Sequence, residues 1–343
     1  MKWYEEKDTD NDVIVASRIR LLRNIKDYRF PWKLQEEESK ALTKELEERL
    51  SGIGSLDGRT YTISDLANMS KLERNALRER RLISRQAAKD PANAGLLQSA
   101  DEAVSLTINC EDHFRMQISH TGAQLRQSWK EMDKLDDYIN ERYAYAFDEQ
   151  VGYLTTYPTN IGTGMRAYLV LHLALLDSVS RFENIVEEIS RFGLKLKPAF
   201  SSDKQLNGNM YVLYNEKTLG TSEEEILELL EKIGGQLENQ ERSLRDNSIE
   251  QHRLEAEDIC YKAYGTIRYS KLMTLKMAMH LVSQLRWGQE KQVIRFKEYC
   301  NFYEIMMGMQ EANLAINSKN LTKTAGQDQQ RAEYLRSCLP ELI

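Results

Sequence analysis

An α/β domain followed by an α-helical domain is the architecture this sequence predicts, and three patterns point to it. Residues 104–109 and 114–119 alternate apolar and polar side chains, the period of half-buried strands, across a four-residue connection. Residues 35–50 and 64–82 instead space their apolar side chains three and four apart, as a helix does. From Thr221 onward the helical pattern is almost unbroken. The 343 residues, 41% hydrophobic and 29% charged, are ample for two cores. The expected boundary falls between an α/β domain of residues 1–220 and a helical domain of residues 221–343.

Composition narrows the function classes. A net charge of −6 argues against a general nucleic-acid-binding surface. The opening MKWYEEKDTD is polar and acidic and lacks the apolar core of a signal peptide. The longest apolar run, near 167–176, is too short to span a bilayer. Cys110, Cys260, Cys300 and Cys338 are widely spaced with no CxxC pair, so neither a protein-ligated metal nor a disulfide framework is expected. A reduced, cytoplasmic protein that binds neither nucleic acid nor membrane is the expectation.

In chain order, Val13-Ile14-Val15 is a β-branched run suited to a strand. Arg18, Arg20 and Arg23 follow. On an extended backbone Arg18 and Arg20 share one face and Ile19 takes the other. Two guanidinium forks on one side form a clamp for a polyphosphate, because arginine binds phosphate bidentately and keeps its charge. A solvated basic edge is the competing reading. Residues 35–50 carry Leu42, Leu46 and Leu50 at helical spacing and end at Gly52-Ile53-Gly54. Over 64–82 the apolar stripe is Leu66, Met69, Leu72, Ala76 and Leu77. The hairpin of 104–119 then gathers Glu111, Asp112 and His113 at one end of a sheet, with Arg115 pointing away from the core. His113 has no partner at metal-ligand spacing and is read as structural.

The stretch Tyr157-Pro158-Thr159-Asn160-Ile161-Gly162-Thr163-Gly164-Met165-Arg166 combines a proline, two glycines, hydroxyls, an amide and a closing arginine. Pro158 fixes one φ and removes a donor, while Gly162 and Gly164 permit conformations other residues resist. A loop with exposed backbone N–H groups and a cation suits an anion such as phosphate. A polar turn ahead of a buried helix or strand is the plain alternative. Further on, Thr221 and Glu224 read as a capping box before Ile226, Leu229, Leu230 and Ile233. Met273, Met277 and Met279 read as core fillers.

Three segments, Ala16-Ser17-Arg18-Ile19-Arg20-Leu21-Leu22-Arg23-Asn24, Asn109-Cys110-Glu111-Asp112-His113-Phe114-Arg115 and the 157–166 loop, together resemble the ATP:guanidino phosphotransferases, the family of arginine and creatine kinases. The likeness is greatest to the bacterial protein-arginine kinases, which phosphorylate arginine side chains of proteins, and runs from about Val13 to the C-terminus. It implies a mainly antiparallel sheet flanked by helices, with which the hairpin pattern agrees. It implies ATP with Mg²⁺, the nucleotide being held by Ser17, Arg18, Arg20, Arg115, Arg166 and Lys197. A free guanidinium, with a pKa above about 12, is a poor nucleophile at neutral pH. A fixed carboxylate orients it and takes a proton as the N–P bond forms. In the family motif Asn-Glu-Glu-Asp-His the second glutamate does this, and it maps to Glu111.

The departures from the family pattern cluster at the guanidinium end. Cys110 replaces the first glutamate of that motif, and Tyr157 replaces a reactive cysteine that opens the loop. Where related kinases carry Arg-Gly-x-x-Gly-Glu, this chain has Lys197-Pro198-Ala199-Phe200-Ser201-Ser202. Lys197 is an imperfect substitute for a phosphate-binding arginine, and Ser202 cannot replace a carboxylate. Tyr157 is expected to reshape or fill the pocket. Arg81 stands where a histidine commonly packs near the adenine.

Ala263-Tyr264-Gly265-Thr266-Ile267-Arg268-Tyr269 is similar to part of the protein-arginine kinases' helical C-terminal domain. Gln327-Asp328-Gln329-Gln330-Arg331-Ala332 resembles their Arg-Asp-x-x-Arg-Ala motif, an allosteric receptor for phosphoarginine. Asp328 and Arg331 match it and Gln327 does not. The expected function is ATP-dependent phosphorylation of a guanidino group, arginine in proteins. The alternatives are a degenerate pseudokinase that binds nucleotide or phosphoarginine as a regulator of protein quality control, and a structural helical oligomer. The resemblance also implies a homodimer, an arginine-containing protein substrate, a Clp-type protease partner and an activator protein.

Overall fold

A computed structural model describes residues 1–6, 12–200, 207–317 and 326–343. Ser202 lies outside the described residues. The strand expected from Val13 runs on as β1 (Ile14–Arg23), with Ile19 and Leu21 fully buried and Arg18 and Arg20 partly exposed, as alternation requires. The first helix, α1 (Glu36–Leu50), opens on a Gln35/Glu38 capping box and buries Leu42, Leu46 and Leu50. A single turn, α2 (Gly54–Asp57), leads to β2 (Tyr61–Asp65).

The helix expected over 64–82 forms only in its second half. Ser64 and Asp65 belong to β2, and Asp65 accepts from the Ala67 N–H to start a short 3₁₀ turn. Ser70 and Glu73 then cap each other's N–H groups and begin α3 (Lys71–Glu79), followed by α4 (Arg85–Lys89). Two local caps and a cross-strand ladder outweigh the apolar stripe, which leaves Leu72 exposed. Leu66, Leu77, Leu82 and Ile83 still close one apolar cluster beneath these turns.

β3 (Gly95–Ser99) pairs antiparallel with β2 and with β4 (Val104–Ile108), which pairs in turn with β5 (Phe114–Thr121). Ile108 stands opposite Phe114, so the expected hairpin is present. Its strands are more deeply buried than alternation implies: Ser105, Thr107, Gln117 and Ser119 are buried as well as their apolar neighbours. α5 (Leu125–Asn140) packs on β5 and buries Leu125, Met132, Leu135 and Ile139. On the polar side Gln117 and Arg115 donate to the carbonyls of Arg81 and Leu82.

After the small ladder of β6 (Phe147–Asp148) and β7 (Gly152–Tyr153) come β8 (Met165–His172), α6 (Phe182–Arg191), β9 (Leu194–Pro198) and β10 (Met210–Asn215). The large sheet has the hydrogen-bonded order β2-β3-β4-β5-β1-β8-β10-β9, and β1 and β5 run antiparallel with Arg20 opposite Gln117.

The C-terminal part is helical as expected: α7 (Glu223–Tyr269, kinked at His252), α8 (Leu275–Glu290), α9 (Phe302–Gly308), α10 (Glu311–Asn317) and α11 (Gln327–Cys338). Two details differ from the sequence reading. The capping box is Ser222/Glu225, one residue beyond Thr221/Glu224, with Thr221 donating to the same Glu225 carboxylate. Met273 and Met279 are fully buried, but Met277 is exposed. Residues two apart on a helix point to nearly opposite sides, so Met277 and Met279 of α8 cannot both face inward.

The chain divides into two compact units, one of 1–6, 16–169 and 214–232, the other of the described residues in 7–15, 170–213 and 233–343. Among the described residues no helix is long and apolar enough to cross a membrane.

Candidate active site

Adjacent strands of the first unit present guanidinium groups on one face. β1 contributes Arg18 and Arg20, β5 contributes Arg115, which is the cross-strand partner of Leu22, and β8 contributes Arg166. β8 is tied to β1 through the Leu22 N–H, which donates to the Gly164 carbonyl at 3.1 Å. Arg20 Nη2 donates to Asn160 Oδ1 at 3.0 Å, and Arg115 Nη2 to Gln117 Oε1 at 3.0 Å. Burial and the nearby Arg20 charge pull the Arg115 guanidinium down to about 10. Like charges crowded on a half-buried surface cost free energy unless an anion joins them.

Buried polar atoms on the same face also lack partners: Arg20 Nε, Arg166 Nε, Ser105 Oγ, Thr107 Oγ1 and Glu111 Oε2 have none among the described residues. Such orphans are uncommon in folded proteins and mark a place where a polar ligand completes the bonding. Cations around unfilled donors fit a phosphate chain.

The hairpin tip separates its residues by role. Asn109 adopts φ 54°, and its amide donates to Ser39 and Thr43 of α1, which fixes the tip. Asp112 accepts from Asn24 Nδ2 at 2.6 Å and the Thr156 N–H at 2.7 Å, and burial raises its pKa. His113 Nδ1 accepts from the Ile25 N–H at 3.1 Å, and burial pushes the imidazole down to about 4, so it stays neutral. Both are structural, as expected for His113. Among the described residues Glu111 Oε2, Asp112 Oδ2 and His113 Nε2 all lack a partner. Asp112 and His113 are each fixed through their other polar atom, whereas no side-chain hydrogen bond fixes the Glu111 carboxylate to the core. Cys110 packs against the apolar cluster of Leu77, Leu82 and Ile83, and burial followed by the neighbouring Glu111 charge raises its pKa, so it brings no negative charge.

The 157–166 loop works differently from the sequence reading. Four of its backbone N–H groups are already spent inside the protein. Asn160 and Ile161 donate to Tyr157 and Pro158, Gly162 to Tyr153, and Thr163 to Thr218. The loop instead positions side chains, Asn160 toward Arg20 and Arg166 at the start of β8. Its glycines are needed for close approach. A Cβ on Gly162, at φ 109°, would lie 2.1 Å from the Thr218 carbonyl, and one on Gly164, at φ 65°, 2.7 Å from that of Leu22. Arg23 braces the loop from behind, donating to the Thr163 carbonyl at 2.8 Å and pairing with Asp136 at 2.7 Å. Tyr157 is 51% exposed, so its phenol does not fill a buried pocket.

The other expected residues lie elsewhere. Ser17 alternates to the opposite side of β1, where it donates to the Gly122 carbonyl and accepts from the Gln124 N–H. It supports the arginine face without joining it. Lys197 is exposed on β9, in the second unit. Arg81 takes φ 69° and offers its carbonyl to Gln117. Arg331, also in the second unit, is buried, and its Nη1 donates to the Met273 carbonyl at 2.9 Å and to Asp328 at 2.8 Å.

One residue escaped the sequence reading. Tyr168 follows Arg166 by two positions on β8 and lies under Arg18, whose guanidinium carbon is 4.3 Å from the ring centroid. Burial pushes its phenol up, and Arg20, Arg18, Arg166 and Arg115 more than offset this, leaving its pKa below the ordinary value. The available signal was strand alternation from Arg166, hidden inside an otherwise apolar run.

Comparison with known proteins supplies context for this geometry. The family model for the ATP:guanido phosphotransferase C-terminal catalytic domain matches residues 41–244, and that for the protein-arginine kinase McsB C-terminal domain matches residues 232–342. The chain is 32% identical to the protein-arginine kinase of Bacillus subtilis over 342 residues, covering 98% of this chain and 93% of that one. It is 36% identical to that of Caldanaerobacter subterraneus over 279 residues, covering 81% and 83%. Among solved structures, lombricine kinase superposes with a TM-score of 0.61 at 23% identity, covering 69% of this chain and 68% of that one. The duplicated taurocyamine kinase of Schistosoma mansoni, with transition-state analogue components bound, gives 0.61 at 20% identity, covering 75% of this chain and 38% of that one.

Proposed function

This chain belongs to the ATP:guanido phosphotransferase family, and on that premise we propose that its arginine face and Glu111 act together to phosphorylate arginine side chains of proteins. The family's reaction is ATP-dependent phosphoryl transfer to a guanidino group. The observation that carries the assignment is the shared face of Arg18, Arg20, Arg115 and Arg166, with unpartnered donors and the unpartnered Glu111 oxygen at its margin.

In this reading the arginines hold the phosphates of ATP and stabilise the charge on the γ-phosphoryl oxygens as the group moves. Mg²⁺, carried on the phosphate oxygens, would neutralise part of their charge. Glu111 accepts hydrogen bonds from the acceptor guanidinium, which aligns one nitrogen with the γ-phosphorus. As that N–P bond forms, the bond to the bridging oxygen breaks, ADP leaves, and the nitrogen's proton passes to Glu111. Lys197 belongs to the same reading as a weaker phosphate contact, and Asp328 and Arg331 as a weakened phosphoarginine receptor.

An arginine-containing protein substrate, a Clp-type protease, an activator protein, a homodimer and a cytoplasmic setting complete the reading. So does a catalytic domain of residues 1–220 ahead of a helical one. The resemblance to protein-arginine kinases supports them.

A second reading, a nucleotide-binding regulator without turnover, is favoured by Cys110, which packs in the apolar cluster where the family motif has a carboxylate. The experiment is to incubate the protein with Mg-ATP and an arginine-rich protein, then measure acid-labile phosphate. We expect slow phosphorylation, abolished by Glu111→Gln with nucleotide binding nearly intact, and raised by Tyr157→Cys together with Ser202→Glu. Arg18→Ala or Arg166→Ala should weaken Mg-ATP binding about tenfold or more by calorimetry. Unchanged affinity in both would remove the nucleotide site. Binding without product in wild type, and product in the restored variant, would establish the regulator.

A further inference from the structure

We propose that Tyr168 is a binding residue of the phosphate site: its ring holds Arg18 in place and its hydroxyl donates a hydrogen bond to the phosphate chain. The proposal rests on the reading of the arginine face as a nucleotide-phosphate site, and it concerns a residue that reading does not use.

Alternation along β8 sends Met165, Ala167 and Leu169 into the core and leaves Arg166 and Tyr168 partly exposed on the arginine face. The Tyr168 and Tyr214 rings lie 5.6 Å apart at 31°. Arg18 sits 4.3 Å from the first ring and Arg166 5.8 Å from the second. Two rings and two guanidinium groups thus form one continuous stack. Cation–π contact of this kind restricts flexible arginine side chains before any ligand arrives, which lowers the ordering cost of binding.

The ring accounts for Arg18 and leaves the hydroxyl unexplained. No described residue hydrogen-bonds to it, and the partly exposed residue leaves it open to a ligand on the arginine face. Around it stand Arg18 and Arg20 from β1, Arg115 from β5, Arg166 from β8 and Tyr214 from β10, and Arg115 interacts in turn with Glu111. A ligand that answers four guanidinium groups and one hydroxyl donor is multiply anionic and rich in acceptor oxygens. A phosphate chain, inorganic or nucleotide, has that chemistry.

The geometry also predicts a proton linkage. The free protein's phenol is acidified by the arginines. A bound phosphate chain opposes those charges and restores the proton. Where the free phenol is ionised, binding must therefore take up a proton, and affinity falls as pH rises.

The test compares wild type, Tyr168→Phe and Arg20→Ala by calorimetry with Mg-ATP and with inorganic tripolyphosphate. Tyr168→Phe keeps the ring stack and removes the hydroxyl. It should weaken both ligands about tenfold with the unliganded melting temperature unchanged. As pH rises toward 10, the ordinary value of a tyrosine, wild-type affinity should fall more steeply than that of Tyr168→Phe. Equal affinity and an equal pH profile, or tighter binding by Tyr168→Phe, would overturn the proposal while a loss in Arg20→Ala left the phosphate site standing. No binding of either ligand by wild type would overturn both.

Discussion

Arg23→Met is expected to destabilise the first unit and loosen the phosphate site without touching a ligand. Arg23 is 1% exposed, and its Nε and Nη2 reach Asp136 Oδ2 at 3.2 and 2.7 Å while its Nη1 reaches the Leu22 and Thr163 carbonyls at 3.0 and 2.8 Å. Its guanidinium carbon also lies 3.5 Å from the Tyr153 ring centroid. Methionine fills much of the volume and leaves Asp136 charged and unpaired. Breaking a buried ion pair from one side costs about 3–5 kcal/mol, and the 13% exposure of Asp136 puts this case near 3 kcal/mol. Urea unfolding followed by a local probe in the first unit measures it. Arg23→Met with Asp136→Leu removes both charges and should recover most of the stability. It should not recover Mg-ATP affinity, because the Thr163 anchor that aims Arg166 is still missing. A single variant within about 0.5 kcal/mol of wild type, or a double variant no more stable than the single one, refutes the reasoning.

Gly164→Ala places a Cβ 2.7 Å from the Leu22 carbonyl at φ 65°, so it should lower stability by more than about 1 kcal/mol and weaken Mg-ATP binding, as read by thermal unfolding and calorimetry. His113 is held neutral down to about 4 by burial, whereas the unfolded chain protonates near 6.5. Stability should thus decline as pH falls from about 6.5 to 4, and His113→Gln should flatten that part of the profile. Arg331→Ala leaves the Met273 carbonyl and Asp328 without their donor, which should cost on the order of 2 kcal/mol of stability and weaken phosphoarginine binding. Equal phosphoarginine titrations in variant and wild type would leave only the structural role.

Local pattern determined much of this protein. The β-branched start and alternation at Arg18-Ile19-Arg20 define β1 and its arginine face, and the 104–119 alternation defines the hairpin that presents Glu111. The leucine spacing of 35–50 defines α1. These are legible because a side chain's face follows from the backbone period alone. The helix read over 64–82 failed because a partner strand claimed Ser64 and Asp65, and pairing with β3 is not written in that segment.

Tertiary structure decided the rest of the site. It assigned four of the loop's N–H groups to Tyr153, Tyr157, Pro158 and Thr218, and set the loop as a mount for Asn160 and Arg166. It tied Asp112 and His113 to Asn24, 88 or 89 residues away in sequence, and left Glu111 available. It also set Tyr168 beneath Arg18, across two strands separated by about 150 positions. Hydrogen-bond partners and like-charge crowding depend on which segments meet, so composition and spacing carry the residue types while the folded neighbourhood assigns their chemistry.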